Sequence, residues 1–237
     1  MKKIVFTAAL LLSFAALEAK PLKMVKIGGN LLMAETEITQ SQYEDVMKVN
    51  PSEFKGKNLP VECVNWYDAV CFCNLLSEKE GLIPVYTVDG QTDTKKWNYK
   101  SGEDKKIIGD IQQNLEANGY RLPTDEERIE AAKGGSDDKF SYSGSSNPDD
   151  TCWYEQNSDG KTHEAAQKKP NAYGLYDMSG NVSEWAWKIN PKKAGNRWVY
   201  GGSYQDSDSA LACFCYSREA GSTRRNDIGF RVVRKSK

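Results

Sequence analysis

Apolar residues recur with helical spacing in three segments of the chain, and each segment opens on a residue suited to capping a helix. The first opens at Thr39 with Gln42 three residues later, a capping box that satisfies free amide groups at a helix start. Its apolar face is formed by Tyr43, Val46 and Met47. The pattern predicts a first helix that stops at Asn50-Pro51, because proline cannot continue it.

The second and third segments follow the same rule. Asn65 is a favourable N-cap, and it precedes a stripe at helical spacing formed by Ala69, Phe72, Cys73 and Leu76. Thr124 with Glu127 forms another capping box, and Gly134-Gly135 supplies the stop. We therefore expect two more helices, with Cys73 as a small core residue.

The remaining segments favour loops and short strands. Residues 87–118 are mostly polar and contain Asp89-Gly90, which predicts a surface hairpin or insertion. After Phe140, glycine, serine, asparagine and aspartate separate short aromatic segments, a pattern typical of short strands with little helix. No repeat or flexible linker divides the chain, so the patterning predicts a single domain.

The first residues form the three-part pattern of a secretory signal. Lys2 and Lys3 precede an apolar run over residues 4–17, and the small residue Ala19 follows. We expect residues 1–19 to be removed as a signal peptide and residues 20–237 to form the mature domain. Because the apolar run is too short to span a bilayer, we expect an exported protein with no transmembrane anchor: periplasmic, secreted or associated with the cell surface.

The charge balance excludes one class of partner. The chain has 32 basic and 33 acidic residues, a formal net charge of −1, and no basic stripe interleaved with aromatic residues. Nucleic acid is therefore not an expected partner. Six tryptophans supply large apolar side chains for one core, and we expect a monomer.

The six cysteines do not form the evenly spread framework of a small disulfide-rich domain. They are Cys63, Cys71, Cys73, Cys152, Cys213 and Cys215. We expect partial pairing or none. The two Cys-x-Cys pairs are too closely spaced for most structural zinc sites, whose ligand cysteines are usually separated by about two to four residues.

Six strings in fixed order resemble one family. They are E-x-T-x-x-Q-Y near residue 37, V-N-W-Y-D-A-V at 64, G-Y-R-L-P-T at 119, N-A-Y-G-L-Y-D-M-S-G-N-V-S-E-W at 171, G-G-S-Y at 201 and G-F-R-V-V at 229. Over residues 24–235 the chain is similar to the formylglycine-generating-enzyme (sulfatase-modifying factor) family. The resemblance implies the C-type-lectin-like fold of that family, α+β and loop-rich, with few helices and short antiparallel strands.

One position departs from the family pattern. Where the family commonly has an aromatic residue in the helix after R-L-P-T, this chain has Arg128, and we expect a solvent-facing or repacked helix face there. Most of the shared residues are explained by the fold itself. Gly180-Asn181 suits a turn, and Gly201-Gly202 permits close approach of backbone segments.

Part of the longest string resembles a calcium-binding loop of the family. The resemblance implies side-chain ligands from Asp177 and Glu184 and main-chain carbonyl ligands from Gly180 and Val182. Calcium takes about six to eight oxygen ligands, and two carboxylates with turn carbonyls can supply most of them. We expect a structural calcium ion here. The alternative is that Asp177 and Glu184 cap turns and pair with nearby bases.

Enzymes of this family bind copper(I) through two cysteines after G-G-S. In the register of G-G-S-Y these positions are Asp206 and Leu211, and neither supplies the soft thiolate that copper(I) needs. Cys213 and Cys215 could form a shifted pair, since residues two apart on a strand face the same side. We expect no copper site. The alternative hypothesis is a copper-dependent formylglycine-generating oxidase that acts on a cysteine of sulfatases.

The sequence also lacks the residues that other kinds of catalytic site require. His163 is the only histidine, which excludes an iron site built from several histidines, and we expect it to lie in a solvated loop. The motifs G-x-S-x-G and H-E-x-x-H and a phosphate-binding loop are absent. The chain is therefore expected to bind a ligand and not to catalyse a reaction.

The segment after G-G-S is rich in the residue types of adaptable binding surfaces, in which aromatic side chains supply rigid contact area and short polar groups surround them. It resembles the variable proteins of diversity-generating retroelements, which use the same family fold and vary side chains before a terminal G-F-R. Residues 197–235 are the candidate variable segment, and we expect a protein or surface ligand of unknown identity. The predicted ligand residues are Tyr204, Asp206, Ser207, Asp208, Ala210, Ala212, Phe214 and Tyr216. The alternative is a strand that places Leu211, Cys213 and Cys215 in the core.

Overall fold

The computed structural model describes residues 21–103, 105–135, 140–189 and 195–236. The expected signal peptide, residues 1–19, lies outside this part of the chain. Within the described ranges, none of the helices has the length and apolar character that crossing a membrane requires.

Short elements joined by long loops make up the described part of the chain. The α-helices are α1 (Gln40–Met47), α2 (Trp66–Lys79), α3 (Asp125–Lys133) and α4 (Pro148–Thr151). The strands are β1 (Met24–Lys26), β2 (Leu31–Ala34), β3 (Tyr86–Val88), β4 (Ile111–Gln113), β5 (Ser183–Ile189), β6 (Asn196–Tyr200), β7 (Tyr216–Ala220), β8 (Ile228–Gly229) and β9 (Val233–Lys235). Two 3-10 turns lie at Thr94–Lys96 and Asp208–Ala210. These elements confirm the α+β, loop-rich fold class.

The described strands form three sheets. The order β1-β2-β9 joins the two ends of the described chain, and β3 pairs with β4 across residues 89–110. The predicted segment 87–118 is therefore an insertion between paired strands, and it is not wholly on the surface, because Trp97 and Ile107 are buried. The largest sheet has the order β7-β6-β5-β8, in which β5 and β8 run parallel and the other pairs antiparallel. Strand β7 is therefore an edge strand.

The main core lies between α2 and the largest sheet and is rich in tryptophan. Trp66 and Trp185 are both fully buried. The Trp66 Nε1–H donates to Ala186 O at 3.1 Å, and the Trp185 Nε1–H donates to Val64 O at 2.9 Å. Trp187 stacks on Trp66 with a ring separation of 5.1 Å. Helix α2 and strand β5 are thus joined by both packing and hydrogen bonds.

The three predicted helix starts are confirmed. Thr39, Asn65 and Thr124 each cap a helix through a capping box, and Gly134 ends α3 in the left-handed conformation with φ +76°. Helix α1 ends earlier than predicted, because Lys48 already adopts a left-handed φ of +62°.

All six cysteines are free thiols, as the sequence allowed. Cys73 is fully buried in the main core, which confirms its predicted role. Burial raises the pKa of Cys73 well above its ordinary value, since a thiolate would be poorly solvated there.

Candidate functional site: a cleft beside β7

A cleft of about 450 Å³ opens beside the edge strand β7. Its lining includes Asp206, Ala210, Phe214, Tyr216, Glu219 and Arg225. We call it the C-terminal cleft. Its volume lies in the range of pockets that hold a small ligand or a protein side chain.

A glycine turn after β6 brings one wall of the C-terminal cleft into place. Gly201 and Gly202 have φ values of +95° and +65°, a region that favours glycine. A Cβ atom on Gly202 would lie 2.8 Å from Leu211 Cδ2 and 2.9 Å from Ala210 O. The close approach predicted for this glycine pair is therefore present, and it seats the 3-10 turn at Asp208–Ala210 against β6.

Asp206 is held in a defined orientation at the cleft. Its Oδ2 accepts hydrogen bonds from the amide and the hydroxyl of Ser203, at 2.8 and 2.7 Å. Its carbonyl accepts from the amide of Glu155 at 3.1 Å. A residue held through both its carboxylate and its backbone carbonyl is preorganised to meet a ligand, because less conformational entropy is lost on binding.

Aromatic side chains stand exposed at the cleft and beside it. Phe214 is 66% exposed and Tyr216 is 47% exposed. Tyr216 packs on Trp198 with a ring separation of 4.0 Å, and the guanidinium of Arg218 lies 4.7 Å from the Trp198 ring. Exposed aromatic residues next to a concavity mark contact surfaces more often than isolated apolar residues do.

Three of the four charged groups that line the cleft form one ion-pair network, and the lining has an excess of acid. Arg225 donates through Nε to Asp227 Oδ1 at 2.8 Å and through Nη2 to Asp227 Oδ2. The Nη1 of the same guanidinium donates to Glu219 Oε1 at 3.0 Å. With Asp206, three carboxylates and one guanidinium line the cleft, so two negative charges are not neutralised.

The structure brings together half of the predicted ligand residues. Asp206, Ala210, Phe214 and Tyr216 line the C-terminal cleft. Ser207 and Asp208 are exposed outside its lining, and Ala212 is half-buried outside it. The carbonyl of Ala212 accepts from the amide of Cys215 at 2.8 Å, so that position belongs to a turn.

Tyr204 is a correction, because its side chain belongs to the core. It is only 2% exposed, and its ring packs edge-on against Phe54 at 5.6 Å. Its amide donates to Asn181 O, and its carbonyl accepts from the Ser158 hydroxyl. The side chain is therefore held inside the fold and is not displayed to a ligand.

The two positions where the family binds copper have different roles here. Asp206 lines the cleft, and Leu211 is fully buried beside Cys152 and Tyr154.

The possible shifted pair does not lie on one strand face. Residues 212–214 form a bend and turn before β7. The Cys213 thiol is buried and directed at Ala132 O, whereas Cys215 lines the cleft and its thiol is directed at Ser209 O. Burial raises the pKa of Cys213. The two thiols therefore face different surroundings. The alternative places Leu211, Cys213 and Cys215 in the core as one strand face. Leu211 and Cys213 are buried as it requires, but Cys215 lines the cleft and the backbone of residues 212–214 is a bend and turn.

A buried ion cluster occupies the predicted calcium loop. Glu184 is 1% exposed and accepts from Arg128 Nε at 2.7 Å. Arg231 Nε donates to both carboxylate oxygens of Glu184, at 2.8 and 2.9 Å. Burial opposes ionisation of Glu184, but the attraction of the two guanidinium groups outweighs it and holds the pKa below its ordinary value.

Arg231 also binds the backbone around this carboxylate. Its other N–H groups donate to the carbonyl oxygens of Ala34, Glu35, Tyr176 and Asp177. One guanidinium thus joins three segments of the chain by hydrogen bonds to their oxygen atoms. A structural calcium ion joins chain segments in a similar way, by coordinating their oxygen atoms.

The predicted calcium ligands therefore do not fit a calcium ion. Both oxygens of Glu184 are taken by guanidinium groups, and a second cation beside them would be repelled. Asp177 keeps one buried oxygen, Oδ1, without a hydrogen-bond partner, and burial raises its pKa to about 6. Among the described residues, no group of three or more histidine, cysteine or acidic side chains could hold a metal ion.

We expect the melting temperature of the purified protein to be the same with and without excess chelator, because Arg128 and Arg231 already neutralise Glu184. Differential scanning calorimetry at one pH and ionic strength measures it. A metal that binds only the folded state raises stability by mass action. A clear fall in melting temperature on adding chelator would therefore restore the calcium hypothesis.

The structure decides between the two alternatives for Arg128. It is 1% exposed and bonded to Glu184 and to Met178 O, so the helix face is repacked around an ion pair and is not solvent-facing. His163 lies in a loop, as expected, but it is half-buried, with its ring stacked on Trp153 at 3.8 Å.

The sequence interpretation missed several residues of the C-terminal cleft. Glu219, Arg225 and Asp227 line it but belong to an edge strand and to the loop before β8. An arginine two residues before an aspartate was the available local pattern, and it is too common to single out a site. The order of the strands, and not the local sequence, brings these side chains together.

Comparison with known proteins finds a matching family model, a sequence relative and similar solved structures. Residues 6–236 match the family model described as FGE-sulfatase, sulfatase-modifying factor enzyme 1-like domain. The chain is 40% identical over 220 residues to chaperone protein LppX of Paenibacillus barcinonensis, covering 84% of this chain and 78% of LppX. Among solved structures, variable protein 1 of Treponema denticola has a TM-score of 0.77 and 31% identity, with 92% of each chain covered. CarF has a TM-score of 0.74 and 29% identity, covering 92% of this chain and 99% of CarF.

Proposed function

The chain belongs to the FGE-sulfatase family of sulfatase-modifying factor enzyme 1-like domains, and from this membership we propose that it is an exported, non-catalytic protein that binds a ligand in the C-terminal cleft. The observation that carries the proposal is the cleft itself. A concavity of about 450 Å³ is lined by Phe214 and Tyr216, which are both exposed. Of the two positions that correspond to the copper-binding cysteines of the family, Asp206 lines this cleft, whereas Leu211 is buried outside it.

The names of two relatives support the proposal that the ligand is another protein. One is named a variable protein and another a chaperone protein, and a chaperone acts by contact with other proteins. The N-terminal pattern of residues 1–19 supports export. The retroelement hypothesis adds that residues 197–235 differ among copies of the gene. A near-copy of the corresponding DNA beside a reverse transcriptase gene would support that addition.

The alternative, a copper-dependent oxidase, needs two thiolates that reach one metal ion. Cys213 is buried with Ala131 and Ala132 of helix α3, whereas Cys215 lines the cleft. A copper site would require this turn to rearrange. Tight, stoichiometric copper(I) binding that is lost in Cys213→Ser would support the oxidase and contradict our proposal.

We expect the double variant Phe214→Ser/Tyr216→Ser to lose at least tenfold in affinity for cleft ligands, because a few aromatic anchors commonly supply most of the binding energy at an interface. The probe is a set of peptides selected on immobilised wild-type protein from a random displayed library. Fluorescence anisotropy of the labelled peptides measures the dissociation constants. Both residues are exposed, so the variant should fold normally.

The matched control is Ile83→Ser/Ile108→Ser. These side chains are 60% and 77% exposed and lie outside the cleft lining, so the control also removes exposed apolar area. It should keep the wild-type affinity. Selected peptides that bind the cleft variant and the wild type equally well would show that the ligand site lies elsewhere.

A further inference from the structure

We infer that the C-terminal cleft binds a cationic side chain, arginine or lysine, presented by another protein. The inference rests on the proposed function and adds the chemistry of its ligand. Charge is the first observation. Three carboxylates and one guanidinium line the cleft, while the whole chain carries a formal charge of only −1. The acidic excess is therefore concentrated at this site and does not reflect the composition.

The distribution of this charge favours a ligand cation. Arg225 is bound bidentately by Asp227, which is buried, and it also contacts Glu219. The guanidinium is thus already surrounded by carboxylates, and an anionic ligand would have to displace them. Asp206, by contrast, accepts its hydrogen bonds from the neutral donors of Ser203, and it attracts the Arg225 guanidinium only at longer range. Its carboxylate and the excess charge at Glu219 are available to a cation.

The aromatic groups supply the second, independent observation. A guanidinium or ammonium group is attracted to the face of an aromatic ring within about 6 Å. The rings of Trp198 and Tyr216 are already occupied by the Arg218 guanidinium, at 4.7 and 5.5 Å, so the ring open to a ligand cation at the cleft is that of Phe214. Phe214 is 66% exposed at the cleft. Its ring can cover the apolar stem of an incoming arginine or lysine.

The occupant is a protein side chain rather than a free small cation because the contact surface extends beyond the cleft. Tyr216 is the first residue of the edge strand β7, and residues 216–218 of this strand are all exposed. Ser207 and Asp208 are exposed next to the cleft wall. A protein that inserts one basic side chain can also contact this rim, whereas a small cation would leave it unused.

The test uses the variant Asp206→Asn/Glu219→Gln and the same displayed peptide library. We expect peptides selected on the wild type to be enriched in arginine and lysine relative to the library. Their affinity should fall at least tenfold in this variant and should also fall as sodium chloride is raised, because exposed charge interactions are screened. The control Glu44→Gln/Glu116→Gln makes the same change of net charge at exposed positions outside the lining and should leave the affinity unchanged.

The outcomes separate this inference from the proposed function. Peptides that need Phe214 and Tyr216 but show no basic enrichment and no loss in Asp206→Asn/Glu219→Gln would overturn the inference and leave the proposed function standing. Peptides insensitive to both cleft variants would overturn both. If the double variant does not fold, Glu219→Gln alone and the salt dependence of the wild type give the same decision, since Glu219 lies on the edge strand β7.

Discussion

Replacing Glu184 with glutamine will lower the free energy of unfolding by about 3–5 kcal/mol, the range for removing one partner of a buried ion pair. The substitution leaves Arg128 and Arg231, which are 1% and 0% exposed, without their shared counter-charge. A glutamine keeps one acceptor oxygen, but its amide nitrogen is a donor that would face a guanidinium, and its neutral side chain cannot neutralise two guanidinium groups. Urea unfolding followed by tryptophan fluorescence measures the change.

Two comparisons make this result specific. Glu116→Gln removes a carboxylate that is 92% exposed and should change stability by about 0.5 kcal/mol or less. A double-mutant cycle of Glu184→Gln with Arg128→Met should show a coupling energy of about 0.5–3 kcal/mol, as for residues in direct contact. Strictly additive effects would mean that the Arg128–Glu184 contact at 2.7 Å does not contribute to stability.

Features set by neighbouring residues could be predicted from the sequence. The capping boxes at Thr39, Asn65 and Thr124 each involve a partner three residues away, so the helix starts follow from local chemistry. The same holds for the turn at Asp89-Gly90, which is closed by the bridge between Val88 and Gln91. The pairing of β3 with β4 is not local, because residues 89–110 lie between the two strands. The six family strings, found in fixed order, added the prediction of the overall fold, because the resemblance to the family implies its C-type-lectin-like architecture.

Features set by distant contacts could not be predicted in this way. Arg128 is buried because its partner, 56 positions along the chain, faces it across the core. Tyr204 is buried because Phe54, from another loop, packs on it. Residue type alone does not decide burial for either, since a tyrosine or an arginine is apolar along its length and polar at its tip. The acidic character of the cleft likewise arises only when β7 and the loop before β8 meet.

Trp185→Ala will destabilise the protein by about 3–5 kcal/mol, the range for deleting a large buried aromatic side chain. Trp185 lies on strand β5 and is fully buried in the main core. Its removal opens a cavity and leaves the carbonyl of Val64 without the indole donor that now lies at 2.9 Å. An unsatisfied buried carbonyl adds its desolvation cost to that of the cavity. The same urea titration measures the loss.

Trp185→Phe separates these two contributions, because phenylalanine fills much of the volume but cannot donate to Val64 O. It should cost about 1–3 kcal/mol, chiefly the unmade hydrogen bond. The cleft variant Phe214→Ser/Tyr216→Ser should cost about 0.5 kcal/mol or less per residue, since both side chains are exposed. Scaffold and binding surface would then be distinct parts of one fold. If the cleft variant unfolds as readily as Trp185→Ala, Phe214 and Tyr216 act as core residues and the ligand site must be sought elsewhere.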